Sequence, residues 1–345
     1  MSANNTYKLV TQDGCLILLH YYKPAASGML KAPILLVHGF AANAHMWDSP
    51  VQEGSIASYF SRRGFPVFAI DLRYRVGKPC RDWNLDDYVL FDIPCVQSHI
   101  ESLTGHTQFH WIGHSMGGLL GYMYQALHGS GRVLSQSNLG SPGFQGVNTQ
   151  GHIFFASKAL SRVMSLVLET GRLDLLPPKI MATLVAASFM VSNPRKTGLD
   201  KGSFDELQTK NILGNVSRGE VRQLTSVVNK GGLFSPKYRF HYMRRLSRVQ
   251  APLLVIAGDR DLICPPKLVL QGFKDAPARY KDFKLLGKKN LCRSYYGHLD
   301  LIMGASAKKE VWPHLLNWIE RFDSYKESFL HAPASCSYSI GQEWM

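Results

Sequence analysis

The sequence predicts an α/β fold: a doubly wound, mostly parallel sheet with a helical segment inserted into it. Three observations carry this. Short, continuous apolar runs at 34–37, 66–70, 109–112 and 252–257 have the length and composition of strands buried on both faces. Helix-period stretches separate them, and a strand–helix rhythm of this kind implies right-handed crossovers between parallel strands. The rhythm stops after residue 143 and resumes at 251, which marks off the insertion.

The elements follow in order. Residues 7–10 and 15–21 flank Gln12-Asp13-Gly14, and Asp-Gly between β-rich runs signals a hairpin. The first buried strand, 34–37, ends at His38-Gly39-Phe40, and residues 43–47 begin a loop. Residues 55–63 read as a helix stopped by Gly64, the strand at 66–70 ends at Asp71, and 84–101 read as an amphipathic helix interrupted near Pro94. Strand 109–112 precedes Ser115, and 132–138 forms a further strand. Between 144 and 250 no buried strand is visible. Helical patterns occur instead at 153–169, 180–191, 203–212 and 217–229. Strands at 252–257 and 280–286 and a helix over 308–322 close the core. The predicted organisation is a core of 1–143 and 251–325, a helical cap of 144–250, and a poorly ordered tail over 326–345.

Composition narrows the function classes. The 345 residues are 45% hydrophobic and 19% charged, the balance of a globular chain. The formal net charge is +14, and residues 141–250 hold 16 basic against 6 acidic side chains. The apolar faces of that insertion either line a pocket beneath solvated charges or lie on an anionic membrane surface. No nucleic-acid-binding signature accompanies the charge, so nucleic acid is not an expected partner. Six scattered cysteines without Cys-x-x-Cys spacing predict reduced thiols, not a disulfide framework or a zinc site. No run reaches the roughly 18 apolar residues of a membrane span. No apolar signal-peptide region opens the chain, and the expected location is the cytoplasm, with membrane association through the basic cap as a further expectation.

Chemistry concentrates at Gly113-His114-Ser115-Met116-Gly117, between a strand and a helical stretch. Gly-x-Ser-x-Gly in that context puts a serine hydroxyl on a strained turn, clear of the sheet. A serine at neutral pH needs a base within hydrogen-bond reach and a carboxylate to orient that base. Among thirteen histidines, His298 follows the last strand in a Gly-His turn at the carboxyl end of the sheet and is the candidate base. His38 also ends a strand, but Gly39-Phe40 after it suits an oxyanion loop. His114 is expected to point away from Ser115. Asp261, three residues past Gly258, is the candidate carboxylate. Asp259 is expected to cap or salt-bridge locally, and Asp300 is the runner-up. The N–H groups of Phe40 and Met116 are the candidate oxyanion donors. No cofactor or metal is expected.

The order Ser115, Asp261, His298, with His38-Gly39-Phe40 upstream, resembles the α/β-hydrolase superfamily over about residues 7–325. Gly258-x-x-Asp261 and Gly297-His298-Leu299-Asp300-Leu301 are similar to bacterial-type lipases and esterases. The resemblance implies an α/β-hydrolase fold and a serine hydrolase acting on a small-molecule ester or lipid. Polyhydroxyalkanoate synthases also resemble the chain, but are expected to carry cysteine at the elbow. Haloalkane dehalogenases and epoxide hydrolases are expected to carry aspartate there. The oxyanion loop lacks the His-Gly-Gly-Gly run of the hormone-sensitive-lipase type. Two alternatives stay open: an acyltransferase passing the acyl group to an alcohol or thiol, and a non-enzymatic ligand-binding protein on the same scaffold.

Overall fold

Asn5–Val10 (β1) and Leu16–Tyr22 (β2) pair antiparallel around the predicted Asp13-Gly14 turn, where Gly14 takes φ +79°. Ile34–Val37 (β3) has no polar face to offer water, and the sheet buries both sides of it: Leu35 and Val37 enter one core, Ile34 and Leu36 the other. The computed structural model describes residues 3–25, 31–48, 54–75, 81–145, 212, 214–229, 232–261, 263–323 and 336–339. Val67–Asp71 (β4), Phe109–His114 (β5) and Val133–Leu139 (β6) continue the sheet. Phe234–Ser235 (β7) and Phe240–His241 (β8) form a separate small hairpin, two short strands where the sequence suggested helix alone. Leu253–Gly258 (β9), Lys281–Leu286 (β10) and Cys336–Ser339 (β11) complete the order β1-β2-β4-β3-β5-β6-β9-β10-β11. From β4 to β11 every neighbouring pair is parallel, while β2 runs antiparallel to both β1 and β4. β3 lies between β4 and β5, so the crossovers wind outward in opposite directions from this point. In sheets wound this way ligands bind at the carboxyl ends of the strands flanking such a point, here β3 and β5.

Helices cover both faces. On one side Ile93–Thr104 (α2), Met116–His128 (α3) and Pro266–Asp275 (α5) contribute Val96, Leu120, Met123 and Phe273 to a core that includes Trp111. On the other, Ile56–Ser61 (α1) and Trp312–Asp323 (α6) contribute Phe60, Leu315 and Ile319. Ser55 caps α1 in a reciprocal box with Ser58. The interruption expected near Pro94 is a widened turn: Tyr88–Asp92 is π-helical and the Ile93 N–H reaches the Tyr88 carbonyl. The wider turn comes directly before a proline that has no N–H to give and whose ring crowds the preceding carbonyl. Ala44–Trp47 is a 3-10 turn, not open loop, because Asn43 accepts from the His45 N–H and the Asp71 carboxylate accepts from the Ala44 N–H at 2.6 Å.

The tail expectation is corrected for Cys336–Ser339, which pair with the outer edge of β10 and use its otherwise open row of backbone groups. Of the helical patterns expected in the insertion, the stretch at 217–229 is Arg218–Asn229 (α4). Those at 153–169 and 180–191, and that at 203–212 apart from Ile212, lie outside the described residues. Among the described residues no helix is long and apolar enough to cross a membrane.

Candidate functional site

Ser115 joins β5 to α3 with φ +54° and ψ −119°, a conformation that non-glycine residues rarely adopt and that costs about 1–3 kcal/mol. The flanking glycines make the turn possible. A Cβ on Gly117 would lie 2.0 Å from the Val37 carbonyl oxygen, and one on Gly113 2.4 Å from the Gly118 nitrogen. The Ser115 N–H donates to the Leu139 carbonyl, and its own carbonyl accepts from Gly118 and Leu119. The backbone is therefore tied on both sides while the half-buried side chain stands at the amino end of α3, where the helix dipole favours negative charge.

His298 and Asp261 meet beside it. The His298 Nδ1 lies 2.7 Å from the Asp261 Oδ2, and both residues are buried. The other carboxylate oxygen of Asp261 accepts from the N–H groups of Ile263 (2.9 Å) and Cys264 (2.8 Å), which fixes its plane. Gly140 packs against this pair: a Cβ there would be 3.0 Å from Asp261 Oδ2 and 3.1 Å from His298 Nδ1. Gly140 follows Leu139, the acceptor of the Ser115 N–H, so one short segment touches all three residues. Asp259 does not contact His298; its Oδ1 accepts from the Tyr296 N–H at 2.9 Å, bracing the loop that carries the histidine. Asp300 accepts from the Gly297 N–H at 2.6 Å and likewise shapes that loop.

The turn after β3 lies against Ser115: a Cβ on Gly39 would approach the Ser115 Cβ to 3.2 Å. Among the described residues, neither the Phe40 nor the Met116 N–H donates to an internal acceptor. His38 holds this turn. Its Nδ1–H donates to the Gly39 carbonyl at 2.9 Å, and its Nε2 accepts from the Leu72 N–H at 3.3 Å. Complete burial, aided by Arg75, pushes the His38 pKa down to about 3, so it is a neutral brace.

Two neighbours carried no functional signal in the sequence. The His114 Nε2–H donates to the His298 carbonyl at 3.0 Å, and the two rings sit 4.5 Å apart. Burial and the adjacent His298 hold His114 far below the ordinary histidine range, so it stays neutral. It lies against the candidate base. Cys264 lies close enough to Ser115 to feel its hydroxyl; burial and Asp261 drive its thiol pKa well up, so it is a neutral neighbour and not a thiolate. The position of Cys264 just past Asp261 was the only available hint. Among the described residues no group of three His, Cys, Asp or Glu is arranged to hold a metal ion.

The arrangement holds an imidazole by one nitrogen beside the elbow that raises the Ser115 hydroxyl. Comparisons with known proteins agree with this architecture. The profile of the alpha/beta hydrolase fold family matches residues 32–287. Triacylglycerol lipase 2 of Arabidopsis thaliana is 25% identical over 133 residues, 34% of this chain and 32% of the lipase. The matched stretch thus spans about a third of that relative's length. A lipase of Caenorhabditis elegans, lipl-1, is 22% identical and aligns over 90% of this chain and 87% of its own. The crystal structure of an esterase from Rhodococcus sp. ECU1013 superposes with a TM-score of 0.63 at 17% identity, covering 93% of this chain and 100% of that one. With a matching profile over most of its length, an elbow at Ser115 and a parallel sheet of this order, the chain belongs to the α/β-hydrolase fold family.

Proposed function

We propose that the protein is a serine hydrolase of carboxylic esters. The observation that carries this is the 2.7 Å contact of buried Asp261 with His298 Nδ1, next to the strained Ser115 turn. With Nδ1–H donated to Asp261, the Nε2 lone pair is the basic site of the ring. Ser115 Oγ attacks the ester carbonyl and its proton passes to His298 Nε2. The tetrahedral oxyanion is held by the Phe40 and Met116 N–H groups. Collapse expels the alcohol, which takes the proton from His298. A water then loses its proton to the same nitrogen, attacks the acyl-enzyme and releases the acid, restoring Ser115. His38 and His114 hold the oxyanion turn and the base in place.

A fluorophosphonate probe should label Ser115, and a panel of p-nitrophenyl esters of increasing acyl length should identify the preferred chain. Ser115→Ala should lose both labelling and turnover, the latter by about a million-fold. A folded variant that keeps a tenth of wild-type turnover overturns the proposal. If a competing alcohol instead captures most of the acyl group, the activity is acyl transfer.

A further inference from the structure

The loop between β10 and His298 carries a side chain that folding leaves in water. Lys288–Asn290 form a 3-10 turn closed by Asn290 and Cys292 N–H bonds to the Gly287 carbonyl. Leu291 follows at φ +65° and is 98% exposed. A leucine gains nothing from either feature within the folded chain; the conformation suits glycine or asparagine, and its apolar surface faces solvent. Around it Arg260, Lys288, Lys289, Arg293 and Lys309 are exposed. Tyr295 lies between two of these cations, 4.9 Å from the Arg260 guanidinium and 4.9 Å from the Lys288 ammonium. Asp259 accepts from the Tyr296 N–H, and Glu310 accepts from the Arg293 N–H and the Tyr296 hydroxyl.

This tip stands at the carboxyl edge of the sheet, the edge that holds Ser115. At the opposite end of the same edge, Val10 and Leu16 are 68% and 52% exposed. They flank the β1–β2 turn, and Leu18 already pairs with Asp71, the last residue of β4, so this turn also projects past the strand ends. Apolar side chains therefore protrude at both ends of the edge, with the Ser115 elbow between them.

We propose that this edge docks on an anionic phospholipid surface, with Leu291 entering the interface and the basic collar engaging headgroups. The proposal deepens the ester-hydrolase reading by placing its substrate at a lipid surface. A single exposed leucine among lysines and arginines lacks the broad apolar centre of a protein–protein contact. It suits an interface where long cationic side chains reach headgroups while an apolar neighbour inserts. Arg248, in the described part of the inserted segment, lies elsewhere. The Arg248 guanidinium sits 3.7 Å from where a Gly129 Cβ would be, at the far end of α3 from Ser115.

Flotation of the full chain with phosphatidylcholine vesicles, with and without phosphatidylserine, tests this. Binding is expected with phosphatidylserine at low salt and should weaken as salt is added. Lys288→Gln with Lys289→Gln should lower partitioning about 25-fold, roughly fivefold per charge. Leu291→Asn, which accepts the left-handed conformation, should lower it at least about tenfold without changing the salt dependence. Triple reversal of Arg244, Arg245 and Arg248 to Glu should leave most of the binding intact. Absence of flotation overturns the docking proposal, as does loss of binding in the arginine variant with none in the loop variants. Hydrolysis of soluble p-nitrophenyl acetate is measured alongside. Its absence in the wild type overturns the esterase proposal and leaves the flotation result standing, and the loop variants should retain wild-type rates.

Discussion

At the scale of single residues, three carboxylates lie near His298, and their partners separate them. Asp261 meets the imidazole, while Asp259 and Asp300 meet backbone N–H groups of the loop. Asp261→Asn should lower turnover by about 10⁴, because the ring loses its correct tautomer. Asp259→Asn should cost far less. Measured kcat values in the reverse order would transfer the carboxylate role to Asp259. His114 offers a finer test. His114→Phe keeps an aromatic ring beside His298 but leaves its buried carbonyl without a donor, a loss of about 1–3 kcal/mol. If His114 positions the base, kcat falls while KM holds. An unchanged kcat with a lower Tm would make it a packing residue only.

At the scale of elements, buried charge fastens the described part of the insertion to the core. Asp86 is fully buried and accepts from Gln223 (2.6 Å), Ser235 (2.6 Å) and Tyr242 (2.7 Å), all between 212 and 250. Arg75, just past β4, pairs with Glu220 of α4 and donates to the Asn215 carbonyl, and neither ionic side chain is exposed. Such pairs give little net stability over apolar packing, but breaking one leaves the partners stranded without water. Asp86→Ala strands the Gln223, Ser235 and Tyr242 donors and should destabilise by about 1–3 kcal/mol for each in urea unfolding. It should also raise amide exchange in α4 before exchange rises in β5. Uniform exchange across both elements would show that the segment and the core unfold as one unit.

At the scale of the whole molecule, stability should depend on pH through groups buried away from their ordinary state. Burial lowers the pKa of His38 to about 3, and it also lowers those of His110 and His114. Unfolding returns each to the ordinary value near about 6.5. Below that value the unfolded chain binds protons that the folded chain refuses, so stability falls as pH drops through about 6.5. Acid adds a second loss. Burial raises the Asp13 and Asp71 carboxyls, but Arg73, Thr11 and Arg81 outweigh it at Asp13. His20 and the Ala44 N–H do so at Asp71, and both carboxyls end below the usual range. Their contribution is present above about pH 4 and is lost below it. Asp92, Glu220 and Asp259 act in the opposite sense, because burial raises their carboxyls and the folded chain takes up their protons first. Tm should therefore decline only gently from about pH 8 to pH 5 and steepen below about pH 4. His38→Asn should flatten the upper slope, and a Tm constant from about pH 8 to pH 5 would refute the account.

The sequence by itself determined the parts of this molecule that depend on neighbours a few residues away. Runs such as Ile34–Val37 have nowhere to go but the middle of a sheet, and Gly113-His114-Ser115-Met116-Gly117 specifies its own turn, because larger residues at either glycine would strike backbone. The hairpin at Asp13-Gly14 and the stop at Gly64 are local for the same reason. Pro94 announced a disturbance but not its form, since a widened turn and a kink satisfy the same missing N–H. Only the tertiary structure decided which partners meet across long separations. Periodicity says that a side chain faces inward and is silent about what it faces. The His114 hydrogen bond to the His298 carbonyl spans 184 positions, and the Tyr242 bond to Asp86 spans 156. The clamp of Arg73 by Asp13 and Asp92 joins residues from three elements, and Asp13, which looked like turn chemistry alone, proves to be an ion-pair partner. The choice of Asp261 over its neighbours belongs to the same class: all three carboxylates sit past strand ends at the correct edge, and the backbone N–H groups that each one meets come together only once β9, β10 and the His298 loop are assembled.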